Sequence, residues 1–238
     1  MIEVKNIYKK FSDFVLEDVS FEVKDGEFVI ILGKSGAGKS VLFKIMVGLL
    51  KPEKGSVFYD EFDITKANDN ELIEIRKKIG FVFQGSALFD SMNLFENVAL
   101  PLREHFKLTK KELEKRVMKA LESVGLKGYE NLYPSELSGG MKKRAAIARA
   151  IVSEPDYLFY DEPTTGLDPE TAERITNLIK RLWEERKITS LAVTHDFSFT
   201  KNVATKIIWL HEKKIKFIGT IEEFKKLDER EVRAYFIE

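Results

Sequence analysis

The sequence predicts an α/β fold: a mostly parallel sheet covered on both faces by helices. Apolar or alternating runs read as strands at 2–8, 16–23, 27–32, 56–60, 79–83, 157–161, 189–194, 206–210 and 214–218, with helical patterns between them. That alternation is the pattern of parallel sheets, whose ligands gather at the carboxyl ends of the strands. The interval 85–135 holds no convincing strand, so about 85–154 reads as a helical subdomain inserted into a core built from 1–84 and 155–238.

Taken in order, "IEVKNIY" and "LEDVSFEV" alternate as half-buried strands do, whereas "EFVIIL" is continuously apolar and reads as a strand buried on both faces. A glycine-rich turn follows it, and a helix begins at Gly38. Further helices run from Thr109 to Val124, from Ser138, and from Pro169 to Arg186, where proline suits the first helical position. "YLFY" and the "LAV" of "LAVTHD" are again apolar strand runs, each followed by polar residues. No repeat or low-complexity linker interrupts the chain.

Composition narrows the classes of function. With 238 residues, 44% of them hydrophobic, the chain can bury a sizeable core. Lys plus Arg equals Asp plus Glu at 39 each, so no global basic excess argues for nucleic acid or an anionic membrane, and no nucleic-acid partner is expected. The absence of cysteine excludes disulfides, cysteine nucleophiles and thiolate metal sites. "MIEVKNIYKKF" carries no apolar leader and no apolar run approaches the roughly 20 residues that span a bilayer, so a cytoplasmic location is expected. Gln84 is the only glutamine, a bias that fits a hot environment and an AT-rich genome equally.

The strongest chemical signal is "FVIILGKSGAGKSVLF", which fits G-x-x-x-x-G-K-[ST] from Gly33 to Ser40, after a strand and opening a helix. In Gly33, Lys34, Ser35, Gly36, Ala37 and Gly38 the glycines let the backbone curl so that successive N–H groups point at phosphate oxygens. Lys39 is expected to neutralise the β- and γ-phosphates and Ser40 to ligate Mg²⁺. Position 41 is Val, without the hydroxyl often found beside the α-phosphate.

"YLFYDEPTTGLDP" supplies a second half of the site, two carboxylates where a buried strand emerges. Adjacent strand residues point opposite ways, so Asp161 is assigned to the Mg²⁺ and Glu162 to polarising the attacking water. "LSGGMKKRAAIARAI" starts a helix behind two glycines with Ser138 at the cap, a ready-made anion site. Within one chain the Gly33 and Ser138 helix starts lie on opposite lobes. A two-fold dimer is the natural way to bring them onto one nucleotide.

These residues resemble the ATP-binding cassette (ABC) family of transport ATPases over almost the whole chain. The resemblance implies a P-loop ABC-ATPase fold, with a mostly parallel core sheet, an antiparallel β subdomain and the inserted helical subdomain. It implies ATP and Mg²⁺ as ligands, a homodimer with ATP sandwiched between subunits, and a separate membrane permease. By motif, Phe11 would stack on adenine and Gln84 in "FVFQ" would sense Mg²⁺ and the γ-phosphate. Ser138, Gly139 and Gly140 of "LSGGM" would contact the partner's ATP, Asp168 would lie at the dimer seam, and His195 in "LAVTHD" would be the switch histidine at the γ-phosphate. "LSGGM" has Met141 where the family commonly has Gln.

Such a permease would dock a short helix beside "GSALFDSMNLFENVALPLREHF", where Leu88, Phe89, Met92, Leu94 and Phe95 cluster. This stretch, "LSGGM" and the ending "FIGTIEEFKKLDEREVRAYFIE" resemble the ATPases of Mla-type lipid transport systems, which implies a mammalian-cell-entry (MCE) domain protein as a further partner. It also implies a location on the inner face of the cell membrane. A P-loop kinase or GTPase shares Gly33 to Ser40 but explains neither LSGG, Gln84 nor His195. A non-transport ABC ATPase usually adds coiled coils or a second cassette, and an ATPase for amino acids, metals or lipoproteins is the nearer rival.

Overall fold

The computed structural model describes residues 1–227 and Val232, so the last part of the lipid-type ending noted above, apart from Val232, lies outside the described residues. In chain order the first half comprises β1 (Ile2–Lys10), β2 (Phe14–Val23), β3 (Phe28–Leu32), α1 (Lys39–Met46), β4 (Lys54–Tyr59), β5 (Phe62–Asp63), α2 (Asp69–Lys77), β6 (Ile79–Val82), α3 (Leu94–His105) and α4 (Lys110–Ser123). After a 3₁₀ turn at Pro134–Glu136 come α5 (Gly139–Ile151), β7 (Tyr157–Asp161), α6 (Pro169–Arg186), β8 (Thr189–Thr194), α7 (Phe197–Val203), β9 (Lys206–His211), β10 (Lys214–Gly219) and α8 (Ile221–Phe224).

Two sheets result. One is antiparallel in the order β2-β1-β4-β5; the other runs β10-β9-β3-β8-β7-β6, parallel except for β10. β3 is central and buried along its whole length, as its unbroken apolar run predicts. Phe28, Ile30 and Leu32 enter one core with α3 to α6, while Val29 and Ile31 enter the other with the antiparallel sheet and α1. Leu94, Val98, Val117 and Leu121 belong to the same core as Phe28, so the helical segment is continuous with the sheet.

Several boundaries differ from the sequence reading. β1 and β2 extend to Lys10 and from Phe14, β4 starts at Lys54, β6 stops at Val82, and β5 was not foreseen. α2 is too polar to show an apolar stripe, yet Asn68 and Glu71 close a reciprocal cap at its start. Leu94, expected on the docking surface, is buried in the core; Phe89 of the same cluster is exposed. Asn97, fully buried, fixes this stretch: its Nδ2 donates to the carbonyls of Phe89, Met92 and Asn93, and its Oδ1 accepts from Phe89 N.

Candidate functional site at the strand ends

The register of the central sheet sets the site. Leu32 of β3 pairs with Thr194 of β8, Asp161 of β7 with Val193, and Val82 of β6 with Tyr160. Gly33, His195 and Glu162, which follow directly, and Gln84, one residue beyond Phe83, therefore leave the sheet along one edge. They come from four separate parts of the chain.

At Gly33 a β-carbon would lie 2.6 Å from the Leu210 carbonyl oxygen, and at Gly38 (φ 96°) it would lie 2.8 Å from that of Val15. Only glycine fits these close approaches. Gly38 caps α1 without a side-chain acceptor, which leaves first-turn N–H groups for an anion. Lys39 is buried, and its Nζ donates to Gly33 O at 2.7 Å and Lys34 O at 3.1 Å, with Glu162 Oε1 at 3.7 Å. Burial holds its pKa below the usual lysine range, partly opposed by the Glu162 carboxylate.

Ser40 Oγ donates to Asp161 Oδ1 at 3.4 Å. Desolvation, followed by the neighbouring Glu162 charge, raises the Asp161 pKa above the ordinary carboxylate value. Strand alternation does not account for the divergence of the two carboxylates, because β7 ends at Asp161. Glu162 adopts a left-handed backbone (φ 47°), and this turn redirects its side chain. Glu162 Oε2 accepts from Thr165 Oγ1 at 3.1 Å and Thr194 Oγ1 at 3.2 Å, and His195 Nδ1 lies 3.0 Å away.

A cavity of about 790 Å³, within the usual 300–1,000 Å³ range of small-molecule sites, is bordered by Lys34, Ser35, Gly36, Gly38, Lys39, Ser40, Val41, Gln84, Glu162 and His195. Gly33 and Ala37 complete the loop; Ala37 N donates to Lys34 O. Asp161 reaches the cavity through Ser40. The edge thus combines an anion grip, a hydroxyl beside a carboxylate, and a second carboxylate beside an imidazole.

The remaining sequence-predicted residues lie elsewhere in this chain. Ser138, Gly139, Gly140 and Asp168 border a second cavity of about 480 Å³ with Met141, Arg144, Leu167 and Thr171. Ser138 Oγ accepts from Met141 N at 3.3 Å, so its hydroxyl proton remains available to an acceptor. Asp168 caps α6 by accepting from Thr171 N. Phe11 is 60% exposed, in the bend after β1, with Lys9 Nζ 5.5 Å from its ring centre, and does not border the larger cavity.

Sequence reasoning missed several participants. Thr165 and Thr194 hold the Glu162 carboxylate, and Thr164 Oγ1 donates to Asp196 Oδ2 at 2.7 Å. Their positions beside "DEP" and "HD" were the available signal. Lys143, 3% exposed, donates from Nζ to Gln84 O at 2.5 Å, with Glu162 O at 3.4 Å and Phe83 O at 3.5 Å. Arg149 donates to Ser86 O and Ala87 O at 2.8 and 2.6 Å. A lysine pair on a helix gives no such signal.

Comparison with known proteins joins these features. The ABC transporter family model matches residues 16–165. The intermembrane phospholipid transport system ATP-binding protein MlaF of Haemophilus influenzae is 43% identical over 224 residues, 94% of this chain and 85% of that protein. The probable ribonucleotide transport ATP-binding protein mkl of Mycobacterium leprae is 43% identical over 235 residues, covering 98% and 68% of the two chains. The methionine import ATP-binding protein MetN of Clostridium tetani is 40% identical over 240 residues, covering 97% and 75%. Among solved structures, the dimeric post-hydrolysis state of the ATP-binding cassette MJ0796 bound to ADP and Pi superposes with a TM-score of 0.84 at 36% identity, covering 93% of this chain and 99% of that one.

Proposed function

Because the chain belongs to the ABC transporter family and is an ATPase, we propose that it powers a separate membrane permease whose cargo is a phospholipid or related lipid. The observation that carries the ATP part is the convergence of Lys39, Ser40, Asp161, Glu162, Gln84 and His195 at one sheet edge. The buried Lys39 ammonium and the uncapped start of α1 bind and orient the triphosphate. Glu162 accepts the proton of the attacking water, and His195, beside it, contacts the γ-phosphate.

Ser40, Asp161 and Gln84 would hold Mg²⁺, which when bound neutralises phosphate charge. The donor set fits. Among the described residues no cluster of three or more His, Cys, Asp or Glu can hold a metal alone, and Mg²⁺ ordinarily takes one or two carboxylates plus phosphates and water. Phe11 takes the adenine, and its exposed ring suits stacking. Ser138, Gly139 and Gly140 face the γ-phosphate of a second copy, with Asp168 at the seam. The dimeric MJ0796 cassette supports that arrangement.

Among the described residues no helix is long and apolar enough to cross a membrane. The permease is therefore taken to be another chain, with this subunit peripheral on its cytoplasmic side and an MCE-domain protein beyond it. The similarity to MlaF favours lipid; methionine import by MetN supports the second reading. Purifying the native complex through this subunit tests the choice. Recovery of a membrane protein carrying phospholipid, with ATPase activity stimulated by phospholipid vesicles, is expected. A complex without bound lipid whose ATPase responds to methionine or another small solute would overturn the lipid assignment.

A further inference from the structure

We propose that Lys143 is a positioning residue that couples the nucleotide contact at the start of α5 to the placement of Gln84 and Glu162 in the same chain; the coupling rests on the two-chain ATP arrangement proposed above. The last paired residues of β6 and β7 are Val82 and Tyr160. Beyond them the strand ends separate into Phe83–Gln84 and Asp161–Glu162, and no ladder bond joins them. The Lys143 ammonium bridges this gap from α5, with Gln84 O, Phe83 O and Glu162 O as its three carbonyl acceptors. An ammonium carries three donors, so one side chain accounts for all three contacts.

A cation this far from water is costly unless it is hydrogen-bonded, and here three carbonyls accept from it. Those carbonyls lie beside strained backbone. Glu162 sits in a left-handed conformation, as do Ser86 and Ala87 (φ 63° and 47°), whose carbonyls Arg149 holds from the next part of the same helix. α5 is 13 residues long. Ser138 caps it and Lys143 follows about 7 Å along the axis at the usual rise per residue. A shift of the helix start toward or away from a nucleotide on the other chain moves the Lys143 ammonium with it, and with it the backbones of the residue that polarises water and the one that senses the γ-phosphate. One site thereby reports its occupancy to the other.

The test uses the full chain in the assembled transporter, comparing Lys143→Met, Lys143→Gln and Lys143→Arg with wild type. For Lys143→Met, kcat is expected to fall about 10- to 100-fold, the range of small misplacements of reacting groups, with KM for ATP within about threefold. The Hill coefficient for ATP should fall toward 1, and Lys143→Arg should recover a substantial part of kcat. A kcat within about twofold of wild type, a loss confined to KM, or an Arg variant as poor as the Met variant would overturn the assignment. Should Lys143→Met not fold, Lys143→Gln, which retains two donors, decides by the same kcat and KM split. An inactive wild-type complex would instead count against the ATPase reading.

Discussion

Replacing Glu162 by Gln removes one basic oxygen and one charge while keeping the shape of the side chain. Oε2 receives the Thr165 and Thr194 hydroxyls and lies 3.0 Å from His195 Nδ1, whereas Oε1 faces Lys39 Nζ at 3.7 Å. The glutamine oxygen takes the Oε2 position, because the hydroxyls there need an acceptor, and this turns the amide NH₂ toward the lysine ammonium. The variant exchanges an ion pair for a donor facing a donor, at a cost to the fold of about 1–3 kcal/mol. The same exchange leaves the Lys39 charge uncompensated, so affinity for the triphosphate is kept or increased. Catalysis fares differently. An amide takes no proton from water, and general-base assistance contributes about 10²- to 10⁴-fold, or about 2.7–5.4 kcal/mol of barrier. Phosphate release by purified Glu162→Gln should therefore fall to about 1% of wild type or less, while equilibrium ATP binding persists. Light scattering should then show an ATP-dependent dimer, since a ligand held by two chains favours their association. Turnover above about a tenth of wild type in a clean preparation would refute the assignment of the base.

Two further expectations come from other parts of the chain. At Gly140 a β-carbon would meet Thr171 Cγ2 at 2.7 Å, so Gly140→Asp crowds the Thr171 side chain at the α5–α6 contact and, on the proposed arrangement, sets a carboxylate against a triphosphate; it should abolish ATPase activity of the complex, whereas Met141→Gln should change it by less than about fivefold, under about 1 kcal/mol of barrier. Equal tolerance of both would remove the proposed role from "LSGGM". The buried Tyr160 hydroxyl meets no hydrogen-bond partner among the described residues, while its ring stacks on Phe28 at 5.8 Å. Tyr160→Phe should raise stability by about 1–3 kcal/mol, and a lower calorimetric Tm would contradict this.

How much was legible in the sequence follows from how local each cause is. β3, β7 and β8 declared themselves because strands buried on both faces need unbroken apolar runs, and their ends were read to within a residue. α6 was read at both ends: Pro169 marks its start, and it stops at Arg186, although the left-handed turn at Lys187 that ends it (φ 50°) is not one a lysine announces in sequence. β5, only Phe62–Asp63, is held by pairing with β4 and has too few residues to show a period. Leu94 looked like a docking residue because "SMNLFENV" gives no hint which apolar groups turn inward; the buried Asn97, bonded to four backbone groups of this stretch, sets that choice. For Asp161 and Glu162 the sequence argument reached the divergence by strand alternation, whereas the cause is a positive φ after the strand has ended. Lys143 was illegible for a different reason. Its acceptors are backbone carbonyls from distant segments, which leave no mark on residue type.

The two cavities share no lining residue, and this constrains how the family's chemistry can run here. The start of α5 is closed against the first turn of α6 by the Gly140–Thr171 approach, while Lys39 is enclosed by its own loop carbonyls and Glu162. Neither group can move to the other without dismantling the core that α5, α6 and the sheet share. The proposed second copy related by a two-fold axis would remove the difficulty, because each chain would then offer Ser138 to its partner and Lys39 to its own nucleotide. The reciprocity has a mechanical consequence. On the proposed arrangement, the helix that would read the partner's nucleotide is the one whose Lys143 and Arg149 hold the carbonyls of residues 83, 84, 86 and 87 in its own site, so closure at one nucleotide is expected to displace groups at the other.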